Sequence, residues 1–207
     1  MEPSAEYPVS LSIDYPERDL DRLTTALRIF MIIPIAIVLS LLTGGTQRWE
    51  GDGWEYQYAS GGLVFLPTVL LLLFRQKYPR WWFDWNRELS RFGARVGSYF
   101  LLLRDEYPST DEEQTIHLEI DYPDAMQLNR WLPLVKWLLA IPHYVVLFFL
   151  LIGVAVAWIV NWIAILVTGS QPRGLFDYTV GVERWCTRVS GYAFLLVTDR
   201  YPPFSLQ

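Results

Sequence analysis

The side chains that could do chemistry are few and far apart. His143 follows Pro142 inside an apolar stretch, whereas His117 lies in a polar, alternating segment. An ionisable group in an apolar run can relay protons or bind a cofactor. With no second histidine nearby, we interpret His143 as a hydrogen-bonded structural residue. Cys186 is the one cysteine, which excludes an internal disulfide and a multi-cysteine metal site.

The acidic pattern that recurs is an aspartate close to Tyr-Pro, at Asp14, Asp121 and Asp199. Three carboxylates could hold a metal or act as acid and base, but aspartate beside Tyr-Pro is also typical of turns. We interpret the pattern as turn chemistry. The sequence shows no Ser-His-Asp order and no Gly-rich phosphate loop. It therefore predicts no enzyme, no catalytic residue, no metal site and no cofactor.

Long runs without a charged residue predict a membrane protein. The runs at 29–47, 56–74 and 137–172 contain no Asp, Glu, Lys or Arg. Such a run of 18 or more residues is typical of a membrane span, because charge at the bilayer centre costs several kcal/mol. As one helix the third run would be about 54 Å long, against roughly 30 Å of hydrocarbon. We expect two short crossings there with a turn near Gly153, and the alternative is one long tilted helix.

Two other periodicities predict what lies outside the bilayer. In residues 81–103 apolar residues recur every three or four positions beside a ladder of Arg87, Arg91 and Arg95. This predicts an amphipathic helix lying in the membrane interface, or alternatively one packed on a soluble core. Residues 9–14 and 115–121 alternate like strands. We expect them to pair, with a third strand near Leu196, into one sheet.

The chain also repeats itself in order. Ile13-Asp14-Tyr15-Pro16 recurs as Ile120-Asp121-Tyr122-Pro123, and later matches follow at nearly constant offsets, among them Arg28 with Lys136, Phe83 with Phe176, Arg91 with Arg184 and Tyr99 with Tyr192. We predict two repeats, 1–108 and 109–207, with an acidic linker at 105–113. Each repeat comprises a strand, two crossings and an amphipathic helix.

Charge predicts the orientation and limits the partners. With four crossings, all of the 17 Lys and Arg residues except Arg48 lie on the side of both termini and the linker. The positive-inside rule then puts both termini in the cytoplasm of a multi-pass protein of the bacterial inner membrane. The net charge of −5 gives no electrostatic footprint for nucleic acid.

Several motifs, most of them in the second half, resemble one known family. They are Tyr7-Pro8-Val9, Ala140-Ile141-Pro142-His143, Gly174-Leu175-Phe176-Asp177, Arg184-Trp185 and Thr198-Asp199-Arg200-Tyr201-Pro202-Pro203-Phe204. Together they resemble the bacterial membrane proteins of domain of unknown function 4389. The first half looks like a degenerate copy, with Ile35 where the second half has His143. The resemblance implies a membrane location and carries no activity.

These observations predict an all-α membrane protein with small β additions and four transmembrane helices in two parallel repeats. Arg28 and Lys136, at the ends of two crossings, either snorkel to the interface or bind a lipid phosphate. The arginine ladders add four candidate ligands for anionic lipid headgroups: Arg91, Arg95, Arg184 and Arg188. We expect a non-enzymatic accessory or structural subunit, or a lipid-organising partner, of a larger membrane complex. The alternative is a small transporter or channel.

Overall fold

The computed structural model describes residues 7–43, 45–50, 53–58, 60–110, 112 and 114–207, with side chains outside 44–64. The chain is mostly helical. Its helices are α1 (Arg22–Thr43), α2 (Ser60–Leu70), α3 (Arg80–Phe100), α4 (Lys136–Leu139), α5 (Ile141–Thr168) and α6 (Arg173–Ala193). A π-helical segment, Leu71–Arg75, extends α2, and a 3-10 turn, Leu132–Leu134, precedes α4. The strands are β1 (Val9–Ile13), β2 (Gly45–Glu50), β3 (Gly53–Tyr58) and β4 (Ile116–Ile120).

Helix α5 is continuous for 28 residues, as in the alternative of one long helix, so the predicted turn near Gly153 is wrong. A tilted crossing by this helix stays a prediction. Gly153 serves close packing instead. A Cβ atom at this position would lie 2.3 Å from the hydroxyl oxygen of Tyr178, which donates a hydrogen bond to the carbonyl of Leu150. The glycine therefore lets a tyrosine of α6 approach the backbone of α5.

Within the described residues, α1 and α5 are the two helices long and apolar enough to cross a membrane. The predicted second crossing, 56–74, is divided between the end of strand β3 and the shorter helix α2 with its π-helical extension. Strands β2 and β3 form an antiparallel hairpin that begins directly after α1. The prediction of four crossings is therefore wrong, because the length of an uncharged run says nothing about the conformation of its residues.

The rest of the fold is arranged in layers. Strands β1 and β4 pair antiparallel, with Leu11 opposite Leu118. Helix α6 packs between β1 and α5, and helix α3 packs between β4 and α1. The pairing of the two predicted strands is confirmed. The predicted third strand is wrong, because Leu196 adopts a left-handed conformation with φ of 59° and the surrounding residues form no ladder.

One face of the two-stranded sheet supplies a central apolar core. Phe83 of α3 and Phe176 of α6 pack against this face. Alternate residues of both strands are buried there: Val9, Leu11, Ile13, Ile116, Leu118 and Ile120. The opposite face carries polar residues such as Ser12, which is exposed. Because a pair of strands is marginal alone, this packing on two helices stabilises the sheet.

Replacing Ile120 with Asp should lower the free energy of unfolding by roughly 2 to 4 kcal/mol, because a carboxylate would be buried without a partner. Ser12→Asp, on the exposed face of the same sheet, is the matched control and should change it little. Chemical denaturation of both variants in the same detergent measures the difference. Equal stability of the two variants would mean that this face of the sheet is not a core.

Candidate functional site

Helix α6 lies antiparallel along the first half of α5. Trp185 of α6 contacts His143 of α5, and seven residues earlier in α6, Tyr178 contacts Leu150, seven residues later in α5. Apolar side chains of both helices fill the seam over this length, among them Ala140, Leu147, Val154, Val182 and Val189. The motifs singled out in the second half converge at the start of this seam.

Lys136 lies at the centre of that convergence. Its ammonium group is fully buried, 2.7 Å from the carboxylate of Asp199, and donates a hydrogen bond to the carbonyl of Thr198. It also lies 5.2 Å from the centre of the Tyr192 ring. The other carboxylate oxygen of Asp199 accepts the backbone N–H of Asn129. Burial lowers the pKa of the Lys136 amine, and the contact with Asp199 opposes that shift.

Arg28 has the same surroundings in the first half of the chain. Its guanidinium is 1% exposed, forms an ion pair with Asp105 and donates to the carbonyls of Tyr99 and Arg104. It stacks over the Tyr99 ring at 4.3 Å, and Asp105 accepts the backbone N–H of Asp21. Each cation is thus held by an aspartate, a carbonyl and a tyrosine ring.

The sequence did not predict the partners of these two cations. Asp105 falls in the predicted acidic linker, and Asp199 was interpreted as a turn residue, whereas it is the counter-ion of Lys136. The available signal was an aspartate two residues before each of Tyr107-Pro108 and Tyr201-Pro202. Lipid binding by Arg28 and Lys136 stays a prediction, and in the structure both cations have protein acceptors.

His143 is enclosed by aromatic rings. Its Nδ1 accepts a hydrogen bond of 3.0 Å from the indole of Trp185, its ring stacks on Phe204 at 4.0 Å, and Tyr201 lies 4.7 Å away. The imidazole is fully buried, and its Nε2 has no partner among the described residues. This arrangement agrees with a structural histidine that fixes the C-terminal segment against α5.

The corresponding position in the first half is apolar. Ile35 of α1 packs against Phe92 and Val96 of α3 in a small buried cluster. Helix α1 therefore contacts α3 through an aliphatic side chain at the position that the sequence pattern matches to His143.

The arginine ladders of α3 and α6 point at the sheet and the chain segments beside it. Arg91 and Arg184 each donate a 2.9 Å hydrogen bond to a strand carbonyl, that of Leu118 in β4 and that of Leu11 in β1. Arg95 and Arg188 bond to the carbonyls of Ser109 and Ser205. Anionic headgroups at these four residues stay a prediction, and in the structure all four donate to protein carbonyls.

The two Asp-Tyr-Pro motifs dock against opposite helices. Tyr15, after β1, meets the edge of Phe176 at 5.0 Å and lies beneath Arg173. Tyr122, after β4, meets Phe83 at 5.1 Å and lies beneath Arg80, and its hydroxyl donates a hydrogen bond to the carbonyl of Tyr78. The motif is therefore an anchor as well as the end of a strand.

The described side chains offer little catalytic chemistry. Within the part of the chain that the structure describes, no three His, Cys, Asp or Glu residues are grouped closely enough to hold a metal ion. Burial raises the pKa of the Cys186 thiol to about 12, with a further contribution from the charge of Glu183. A thiol in this state is a poor nucleophile, since the thiolate is the reactive form.

Comparison with known proteins agrees with the location of this site. The family model described as Domain of unknown function (DUF4389) matches residues 131–205, which include Lys136, His143, Trp185 and Asp199. No curated protein and no solved structure matches the chain. The matched region is similar to that family, and it contains Lys136 and Asp199, whereas Asn129, whose N–H bonds to Asp199, precedes it.

Replacing Lys136 with Met should lower the free energy of unfolding by about 3 to 5 kcal/mol, because it leaves Asp199 partly buried without its cation. The double variant Lys136→Met/Asp199→Asn should lose less than the sum of the two single variants. The control is Arg80→Gln, at an exposed ion pair with Asp84, which should cost under about 1 kcal/mol. Denaturant titration in detergent measures all four, and strictly additive losses would contradict the coupling.

Proposed function

We propose that this protein is a non-enzymatic membrane protein that serves as an accessory subunit or lipid-organising partner of a larger membrane complex. The observation that carries the proposal is the apolar outer surface of α1 and α5. Of the most apolar 18-residue stretch in each helix, only 11% in α1 and 22% in α5 is buried within the protein. A soluble protein rarely exposes so large a continuous apolar surface, so lipid is the natural solvent for these helices.

The distribution of polar residues on these helices supports a lipid environment. The buried stripe of α5 contains the polar residues His143 and Asn161 together with apolar ones. The exposed positions before the terminal Thr168 are apolar, including Val145, Phe148, Phe149, Ile152, Val156, Ile159, Ile163 and Val167. In α1 likewise, Thr25 and Arg28 are buried while Leu27, Phe30, Ile33, Ile37 and Leu41 are exposed. Polar inside and apolar outside is the pattern expected in lipid.

We further propose that α5 lies in the plane of the membrane and does not cross it. Its first half runs beside α6, and its second half is tied to the same layer of helices. Trp158 donates to the carbonyl of Phe100 at the end of α3, and the carbonyl of Gly169 accepts the N–H of Leu20. Both ends of α5 are therefore attached to the layer that carries the sheet.

The free-energy cost of placing charged side chains in hydrocarbon favours this in-plane arrangement. A vertical α5 would bring α6 into the hydrocarbon beside it, with Glu183, Arg184 and Arg188 in the contacting segment. At about 2.5 to 3.5 kcal/mol each, three such residues would cost roughly 8 to 10 kcal/mol. An α5 immersed in one leaflet, with α6 and the sheet towards water, avoids that cost. We place the sheet and both termini on the cytoplasmic side of the bacterial inner membrane.

The paired contacts also support the proposal that 1–108 and 109–207 are two copies of one unit. Arg91 of the first copy bonds to β4 of the second, and Arg184 of the second bonds to β1 of the first. Tyr15 and Tyr122 are exchanged in the same way. In this interpretation the strands are swapped between copies about an axis through the Leu11–Leu118 pair.

A small transporter or channel is less well supported. Such a protein needs a polar path through the apolar layer. The polar residues of α5 do not line one, because His143 and Asn161 are at most 1% exposed. A purified protein that conducts ions when reconstituted in vesicles would favour the channel over the accessory role.

Single cysteines can test the in-plane arrangement in a Cys186→Ser background. Ser170→Cys, just after α5, and Ser12→Cys, on the exposed face of the sheet, should react with an impermeant reagent from the same side of sealed vesicles. A crossing by α5 would put them on opposite sides. Phe148→Cys, on the outer face of α5, should be shielded from both sides, and ready labelling at this position would contradict insertion into lipid.

A further inference from the structure

A cluster of basic residues lies where two apolar elements end. We call Arg75, Lys77, Arg80 and Arg130 the basic rim. Arg75, Lys77 and Arg80 follow the π-helical extension of α2, and Arg130 precedes the 3-10 turn that leads into α4 and α5. The guanidinium of Arg130 donates a 2.6 Å hydrogen bond to the side-chain carbonyl of Gln76, which joins the two elements.

Exposed apolar side chains border the basic rim on both elements. Along α2 and its extension, Leu66, Leu70 and Phe74 are exposed at a spacing of four residues, which is one helical face. Beyond Arg130, Trp131 is 66% exposed, and further apolar residues follow: Leu134, Val135, Trp137, Leu138 and Leu139. Exposed tryptophan between basic and apolar residues is typical of the headgroup level of a membrane.

The rim also borders an open concavity of about 520 Å³. Lys77, Arg80, Tyr122 and Asp124 contribute to its lining. The carboxylate of Asp124 is occupied by the backbone N–H of Met126 and the side-chain amide of Gln127. The concavity is in the size range of small-ligand sites and can accept a phosphate-bearing headgroup.

The cations of the rim have fewer acceptors within the protein than the arginines of the ladders, so they are more accessible to an anion. The side chains of Arg75 and Lys77 are exposed and have no hydrogen bond or ion pair to the described residues, and the partner of Arg130 is a neutral amide. Arg80 shares an exposed ion pair with Asp84. In contrast, Arg28, Lys136 and the four ladder arginines are held by protein carbonyls or carboxylates.

The corresponding end of α5 lacks the counterparts of Arg75 and Lys77. Thr168 and Ser170 occupy those two sites, whereas the site that matches Arg80 holds Arg173, which is exposed and lies over the Tyr15 ring. Two further exposed arginines near that end, Arg18 and Arg22, provide a comparison of equal charge. The two ends therefore differ by the pair Arg75 and Lys77.

We propose that the basic rim binds the phosphate of an anionic phospholipid, whose acyl chains lie against Phe74 and Trp131. The inference rests on the proposed membrane placement and adds a specific lipid contact to it. Lys77 and Arg80 face the headgroup in the concavity, and Arg75 and Arg130 flank it. Exposed phenylalanine and tryptophan beside the cations fit a lipid, and a free phosphate ion would make no use of them.

The test compares two variants of equal charge on the full-length protein, Arg75→Gln/Lys77→Gln and Arg18→Gln/Arg22→Gln. Binding is measured on vesicles of phosphatidylcholine alone and on vesicles that also contain phosphatidylglycerol. Wild type should bind the anionic vesicles more tightly. The rim variant should lose about thirtyfold in affinity for them, since each of the two basic residues contributes a roughly fivefold to sixfold effect near an anionic surface. The control variant should keep most of that affinity.

The outcomes separate this inference from the membrane placement on which it rests. Equal losses in the two variants would overturn the rim as a site, and so would equal binding of wild type to both kinds of vesicle. Displacement of the protein from anionic vesicles by inorganic phosphate would overturn a lipid as the ligand. If wild type fails to bind even phosphatidylcholine vesicles, the membrane placement itself is wrong. Unchanged binding of both variants to phosphatidylcholine shows that they are folded.

Discussion

The structure depends on two buried cations that join each apolar helix to the end of an amphipathic one. Arg28 at the start of α1 and Lys136 just before α5 each meet an aspartate that follows α3 or α6. Each aspartate also accepts a backbone N–H from the segment leading into the apolar helix. A buried ion pair contributes little net stability, but it penalises arrangements that leave one partner alone. The pairs therefore specify which surfaces of the helices meet.

This constraint leaves the two faces of the helical layer with different solvents. On the side of the sheet, arginines of α3 and α6 donate hydrogen bonds to backbone carbonyls of the strands, so their charged groups lie close to water. On the other side, the exposed side chains of α1 and α5 are mostly hydrocarbon. In the proposed placement, one protein layer separates an aqueous sheet from a lipid-facing surface. An accessory role suits such an arrangement, because both surfaces are available to neighbours while the polar interior is already occupied.

Periodicity predicted the local elements well. The alternation in β1 and β4 and the helical spacing in α3 follow from which side of each element is buried. The wrong predictions concern features about which periodicity carries no information. Gly153 is compatible with a turn or with a close contact, and only the position of Tyr178 decides between them. The sequence composition does not reveal the left-handed backbone conformation of Leu196, which prevents a third strand.

The candidate sites were harder to predict than the elements. Arg28 and Lys136 were predicted to be equivalent residues and have similar surroundings in the structure, but their partners lie about 60 to 80 positions away in the sequence. The six cations predicted to bind lipid headgroups all donate to protein groups in the structure, because charge alone does not distinguish a cation that has an internal acceptor from one that is free. Arg75 and Lys77 differ from the ladder arginines in this respect, and the difference appears only in three dimensions.

The exchange of β1 and β4 has a consequence for chains that hold a single unit. In the two-copy interpretation, each amphipathic helix is covered by a strand that belongs to the other copy. The segment similar to the known family, 131–205, lies wholly within the second copy. A polypeptide with one copy has to obtain the missing strand from a second molecule, and the antiparallel pairing makes that association a symmetric dimer. Fusion of two units into one chain then replaces a concentration-dependent assembly with an intramolecular one.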